Sequence, residues 1–296
     1  MTVRAAKSAV GHLLPRSFRN WIKAPAVSTR WAVDELRHRL GRDLTVPMRP
    51  GWTVRCHPAA YRVAYAILSE DPDQRAELNG FIGACTPGML LFDIGAHFGV
   101  FSLAALHYGG ENARAVAVDP SPMSMRMLAT QRRINGVATR LETIHAAVTD
   151  EPGFAEFVSV GVLAAGYFTA PEKHHSKRER TTVRTVSVDQ LVEQTGKRPT
   201  HLKIDVEGFE AGVLRGAQKL LAERPAPIVF LELHNEIIRS RGLDPAESLE
   251  LLEQAGFCSF SLNDTPTTRE KILSQPLIRF VARTPDDQQP SGFQAP

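Results

Sequence analysis

The chain has 296 residues, 43% of them apolar and 23% charged, with a formal net charge of +3. That is enough for one large α/β domain with extensions, and too weakly basic to argue for a nucleic-acid partner. Cys56, Cys85 and Cys258 are odd in number and far apart, which excludes a disulfide framework or a C-x-x-C metal spacing and leaves reduced thiols as the expectation. No stretch approaches the roughly 18–20 apolar residues of a membrane-spanning helix. The short apolar run near the N-terminus lacks a cleavage pattern, so a cytoplasmic location is expected.

Residues 1–58 read as a basic, partly amphipathic extension. Arg16, Arg19, Lys23, Arg30, Arg37, Arg39 and Arg42 are scattered among apolar positions, as on a solvated helical face, and peripheral contact with an anionic membrane surface is the most they suggest. Val46 to Cys56, punctuated by Pro47 and Pro50-Gly51, predicts a short hairpin. Helical patterns follow from Ala59 to Ser69 and from Asp73 to Ala84. Residues 59–283 then form the main domain, with strand signals at 89–94, 114–119, 141–147, 200–205, 227–233 and 257–262 and helical patterns between most of them. Such alternation predicts an α/β, Rossmann-like fold with a mostly parallel sheet and helices on both faces. Over about 151–188 the pattern changes. Gly153–Val160 and Thr181–Val188 read as strands around a polar segment that cannot pack as core, which predicts an inserted β-hairpin. The tail from Thr284 to Pro296 reads as disordered.

The run Phe92-Asp-Ile-Gly-Ala-His-Phe-Gly-Val-Phe-Ser102 is a buried strand that breaks into a glycine turn and a helix. Gly95 and Gly99 leave room for a ligand against the backbone, and the helix start offers free N–H groups. The spacing is not the G-x-G-x-x-G of dinucleotide binders. Asp93 before the first glycine would be a poor neighbour for a diphosphate and suits an ammonium or sulfonium group. A second apolar strand, Ala113 to Pro120, ends in Asp119, where a βαβ nucleoside site places a carboxylate for ribose hydroxyls. Ser121 or Ser124 can cap the next helix. Together these signals favour a cofactor that is part nucleoside and part amino acid, and S-adenosylmethionine fits best.

Ligands of open α/β sheets bind at the carboxyl ends of the strands. His201-Leu-Lys-Ile-Asp-Val-Glu-Gly208 ends in Asp205 and Glu207, which alternation places on one face with Lys203. A helix is expected from Phe209 to Leu221. Ile228-Val-Phe-Leu-Glu-Leu-His234 ends in Glu232 and His234, and Glu232 within an apolar run is costly to bury unpaired.

With Asp93-Ile-Gly-Ala-His-Phe-Gly, Asp119-Pro-Ser-Pro, Lys203-Ile-Asp-Val-Glu-Gly-Phe-Glu and Glu232-Leu-His on the page, the chain resembles the FkbM family of S-adenosylmethionine-dependent methyltransferases over roughly residues 60–260. His97 stands where that family commonly has Asn, and Asp119 where Glu is common. The resemblance implies a Rossmann-like methyltransferase fold acting on hydroxyls of sugars, glycolipids or natural products. By position, Asp93, Gly95 and Gly99 would hold the methionine part, His97 would either alter the cofactor loop or place an imidazole near the methionine end, Asp119 would hold the ribose, and Ala146 would face the adenine.

Methyl transfer to a hydroxyl calls for an aligned acceptor and a base. Asp205, Glu207, Glu232 and His234 are the candidates, with His234 or Asp205 as base and Glu232 orienting. No metal is assigned. A divalent ion on Asp205, Glu232 and His234 is the alternative, since hard oxygens plus one imidazole suit Mg²⁺ or Mn²⁺. The expected partner is a small-molecule or glycan acceptor, not nucleic acid, built against by the inserted hairpin through Tyr167, Phe168, His174 and His175. A non-catalytic cofactor-binding scaffold and N- or carboxyl-methylation are the rival readings. Nicotinamide chemistry lacks its glycine motif, and nucleoside-triphosphate hydrolysis lacks G-x-x-x-x-G-K-[ST].

Overall fold

The computed structural model describes residues 27–61, 71–159, 166–168 and 179–288. The chain divides into two compact units, Met1–Arg75 and Ala76–Pro296. In the first, α1 (Val27–Arg39) precedes the expected hairpin, β1 (Leu44–Arg49) and β2 (Trp52–Cys56), with Gly51 at positive φ in its turn. β2 alternates as a half-buried strand should, with Trp52, Val54 and Cys56 inside. Helix α2 (Pro72–Ala84) leads into the second unit.

The second unit is built on β3 (Leu90–Ile94), β4 (Arg114–Asp119), β5 (Leu141–His145), β10 (His201–Ile204), β11 (Ile228–Leu233), β12 (Ser259–Leu262), β13 (Thr265–Pro266) and β14 (Ile278–Arg283). Their order across the sheet is β13-β12-β14-β11-β10-β3-β4-β5. The five strands from β11 to β5 are parallel, and β14 runs antiparallel between β11 and β12. This is the doubly wound, Rossmann-like sheet expected. From β3 the chain winds outward through β4 and β5, then returns to the other side of β3 at β10. Right-handed crossovers in opposite directions put the connecting helices on opposite faces. The direction reverses between β3 and β10, so the crevice for a ligand opens beyond their carboxyl ends. The central strands are apolar because both faces are covered: Leu91, Phe92, Ile94, Val116, Val118, Leu202, Ile204, Val229 and Leu231 are all buried.

The inserted hairpin is present and larger than expected. β7 (Gly153–Ser159) and β9 (Glu179–Val186) pair antiparallel, β8 (Gly166–Phe168) adds to one side and β6 (Ala147–Val148) to the other. The single strand expected at 141–147 is therefore two, split at buried Ala146 and serving two sheets. The helix expected from Phe209 to Leu221 is also two, α7 (Glu210–Arg215) and α8 (Gln218–Ala222). Gly216 backs onto the Thr149 carbonyl, where a Cβ would lie 2.5 Å away. The start of α8 is then capped from a distance, Lys219 and Leu220 donating their N–H groups to Asp189 at 3.0 and 2.9 Å. Strand β14 went unmarked in the sequence. Pro285–Gln288, expected to be disordered, forms a 3₁₀ turn. No helix among the described residues is long and apolar enough to cross a membrane.

Candidate active site

The turn after β3 is held shut by the strands beside it. Gly95 and Ala96 donate to the Val118 carbonyl at 2.9 and 3.1 Å. Gly95, Gly99 and His97 all have positive φ, at 79°, 77° and 51°. A ligand pressing on Gly95 was the expectation, but its bare Cα faces protein. A Cβ there would sit 1.8 Å from the Asp205 carbonyl oxygen. The glycine lets the first and fourth parallel strands of the sheet in chain order close against each other at the switch point.

Asp93 is buried, and both the amide and the hydroxyl of Ser102 donate to its Oδ2, at 3.1 and 2.6 Å. It therefore ties the start of helix α4 (Val100–Tyr108) to β3. Burial raises its pKa against those hydrogen bonds. Asp119 closes the turn from the neighbouring strand: the His97 N–H donates to Oδ2 at 2.9 Å and the Ser121 N–H to Oδ1 at 2.8 Å. Burial pushes the Asp119 carboxyl up to about 7, against the hydrogen bonds from Ser121 and His97. Ser121 caps helix α5 (Pro122–Ile134) by accepting from the Ser124 N–H. The His97 ring stacks on Phe98 with centroids 3.9 Å apart, burial pushes its imidazole down to about 4, and its buried Nε2 has no hydrogen-bond partner among the described residues.

Asp205 and Glu207 lie just beyond β10, in a loop rather than on the strand. Four contacts fix that loop. The Asp205 N–H donates to the Ile94 carbonyl at 3.0 Å, and its own carbonyl backs onto Gly95. The Gly208 N–H donates to Glu210 Oε1 at 2.9 Å, and Arg241 donates to the Gly208 carbonyl at 2.9 Å. Glu207 sits at the bend with φ 53°, an uncommon conformation for a side chain other than glycine's.

His234 lies just beyond β11, at the start of the helix Asn235–Ser240, and points into this loop. Its Nδ1 lies 2.7 Å from Oε1 of the fully buried Glu210. A carboxylate accepts, so Nδ1 carries a proton. Nε2 faces Glu207 at 3.7 Å, Glu232 at 3.8 Å and Asp205 at 3.9 Å, all too long for hydrogen bonds. Burial alone would lower the His234 pKa, but the Glu210 hydrogen bond and the Glu207, Asp205 and Glu232 charges push it up to about 10. Burial and the Glu232 charge raise Asp205 well above the usual carboxylate range, and burial likewise raises Glu207.

Glu232 was expected to orient His234. Its main partner is instead Arg279, its register partner on β14, at 2.6 Å. Glu77 on α2 completes a buried network, 2.9 Å from Lys203 and 3.1 Å from Arg279, while Lys203 lies 3.8 Å from Glu232. Two carboxylates and two cations thus neutralise one another beneath the site. The orienting carboxylate is Glu210, which stood in the Lys203–Glu210 motif without a role. Glu77 and Arg279 were not singled out either. The available signal was the need of Glu232, inside an apolar run, for a cation. Tyr167 and Phe168 lie on β8, whose backbone pairs with β7, and His174 and His175 fall outside the described residues. Ala146 is buried at the end of β5, where His145 donates to the Pro120 carbonyl at 2.9 Å.

The methyltransferase FkbM domain family matches residues 93–258, the span from the first acid of the glycine turn to the start of β12. The hexuronic acid methyltransferase AglP of Haloferax volcanii is 27% identical over 169 residues, covering 56% of this chain and 62% of that protein. The chain thus spans less than two thirds of the length of the relative it matches. Among solved structures, the methyltransferase FkbM of Methylobacillus flagellatus KT has 13% identity and a TM-score of 0.38, covering 67% of this chain and 48% of its own. Fibrillarin of Aeropyrum pernix, solved with natively bound S-adenosyl-L-methionine, has 12% identity and a TM-score of 0.38, with 67% of each chain covered.

Proposed function

The chain belongs to the FkbM family of methyltransferases, and from that premise we propose that it uses S-adenosylmethionine to methylate a hydroxyl oxygen of a sugar-containing acceptor. One observation carries this reading. The glycine turn with Asp119 and the acidic loop with His234 converge at the same switch point, joined by the Gly95–Asp205 contact. A place for the cofactor and a place for acid–base chemistry are thereby adjacent.

The residues of the turn fit the cofactor. His97 Nε2 is a buried polar atom without a partner among the described residues, and a ligand group supplying one would satisfy it. Each Asp119 oxygen takes one backbone N–H and keeps accepting capacity for ribose hydroxyls. When bound, S-adenosylmethionine supplies an electrophilic methyl group on a sulfonium. The chain's own residues do the rest. Asp119 orients the ribose and thereby the methyl group. Asp205, with about a third of its side chain exposed, accepts the acceptor's hydroxyl proton as oxygen attacks. Glu210 accepts from His234 Nδ1 and keeps its Nε2 aimed at the acceptor side. The Glu77–Lys203–Glu232–Arg279 network holds the strand ends at fixed spacing, which methyl transfer requires of its partners.

A relative named for a hexuronic acid supports a sugar acceptor. Carboxyl-methylation of such an acid is the second reading, and it would need no base. Incubation with S-adenosylmethionine and a panel of glycans bearing hydroxyls or hexuronic acids, read by mass spectrometry, tests both. A base-stable added methyl on a hydroxyl is the expected product, a base-labile ester would favour the second reading, and no product from any acceptor class would count against both.

A further inference from the structure

We propose that Asp205, Glu207 and His234 form a binding site for a divalent cation, Mn²⁺ or Mg²⁺, with positions left open for oxygens of the acceptor. One ligand atom from each, a carboxylate oxygen from the two acids and Nε2 from the histidine, lies within 4.8 Å of the others. Two ligands of one hard cation, each about 2.0–2.6 Å from it, lie about 3–5 Å apart. The distances from Nε2 to Glu207 and Asp205, 3.7 and 3.9 Å, fall inside that range and outside the range of hydrogen bonds.

Proximity of acids alone would not make a site. His234 supplies the independent observation. It is only 6% exposed, and among the described residues its Nε2 makes no hydrogen bond but faces Glu207 and Asp205 at 3.7 and 3.9 Å. Glu210, 0% exposed, fixes the opposite ring nitrogen at 2.7 Å. A buried carboxylate on one imidazole nitrogen, with the other aimed outward to exchange its proton for a metal, is the arrangement that supports metal-ligating histidines. Glu210 is then a positioning residue and not a ligand.

The donor set selects the ion. Two carboxylates match a dication in charge, and hard oxygens with one imidazole suit Mn²⁺ or Mg²⁺ better than a thiophilic metal. Glu232, the third carboxylate near Nε2, is committed to Arg279. This differs from the trio suggested by sequence, in which Glu232 took the place of Glu207. Three protein ligands leave half of an octahedral shell. Neighbouring hydroxyls, or a hydroxyl and a carboxylate of a sugar acid, can fill two positions, and the cation would acidify the bound hydroxyl, whose proton passes to the Asp205 oxygen that is not a ligand. That role rests on the methyl-transfer reading, whereas the cation site itself does not.

Titration of the full chain with Mn²⁺ alone, followed by electron paramagnetic resonance of the free ion, tests the site without cofactor or acceptor. One bound Mn²⁺ per chain is expected, competed by Mg²⁺. Glu207→Gln and His234→Gln should each weaken binding at least tenfold, and Glu210→Gln should weaken it by about 10- to 100-fold through ring orientation. Asp150→Asn, an acid elsewhere on the chain, should leave it unchanged. Glu207 is nearly half exposed in its side chain, so its variant folds even if that of His234 does not, and circular dichroism verifies each. No stoichiometric Mn²⁺, or binding that Glu207→Gln leaves intact, overturns the site. A parallel titration with S-adenosylmethionine separates the two readings: cation without cofactor keeps the site and removes the methyl-transfer proposal, and cofactor without cation does the reverse.

Discussion

Replacing Gly95 with alanine probes the contact on which the whole site depends. The new Cβ would lie 1.8 Å from the Asp205 carbonyl oxygen, at φ 79°. A nonbonded carbon and oxygen settle about 3.3 Å apart, so the two segments must separate by about 1.5 Å. An L-residue in the left-handed region costs about 1–2 kcal/mol, and forcing a packed contact open costs a further ~1–3 kcal/mol. Gly95→Ala should therefore destabilise by ~2–5 kcal/mol in urea denaturation with the slope unchanged. Gly110→Ala provides the reference, because Gly110 also has positive φ, 75°, but nothing lies within 4 Å of its Cβ position. It should cost only the conformational part, about 1–2 kcal/mol. Since Gly95→Ala also moves Asp205, it should weaken cofactor binding, which Gly110→Ala should not. Equal destabilisation by the two variants would refute the argument that this glycine is required by a backbone approach.

Ser102→Ala removes the 2.6 Å hydroxyl bond to buried Asp93 and should cost about 1.5–3 kcal/mol in the same assay, as for a hydrogen bond to a charged group. Arg279→Met strips Glu232 and Glu77 of a shared cation. A loss of about 3–5 kcal/mol is expected, partly recovered when Glu232→Gln is added. His97, pushed down to about 4 by burial, stays neutral in the fold while the unfolded side chain takes up a proton near 6.5. The folded state then binds fewer protons between those values, so its contribution is whole above about pH 6.5 and lost as pH falls through about 4. The loss is ~3 kcal/mol. Denaturation of His97→Asn across pH 4–7 should show a shallower fall than the native chain by about that amount, and parallel curves would dismiss it.

Much of the main domain was legible because its signals are local. The run Met89–Ile94 into Gly95 announces a buried strand and a turn, and Ser121-Pro122 announces a capped helix. The change of pattern after Asp150 announces an insertion. What escaped notice depends on partners distant in sequence. The Asp205 carbonyl explains Gly95, the Thr149 carbonyl and the Asp189 cap explain the break at Gly216, and β14 explains how Glu232 is buried. In the site, Asp205, Glu207 and His234 do meet as their strand-end positions implied. Glu232 sits beneath them in a charge network whose other members, Glu77 and Arg279, are separated from it by 155 and 47 residues. Glu210 was visible in the motif, but its bond to His234 spans the single β10–β11 crossover and is a property of the fold.

Calorimetric titration of the native chain and of Asp119→Ala with S-adenosylmethionine tests the central claim most directly. The account predicts one site of micromolar affinity in the native chain, lost or greatly weakened in the variant, with both proteins folded. No binding to the native chain would contradict cofactor use, and equal binding by both would contradict the place assigned to the cofactor beside Asp119.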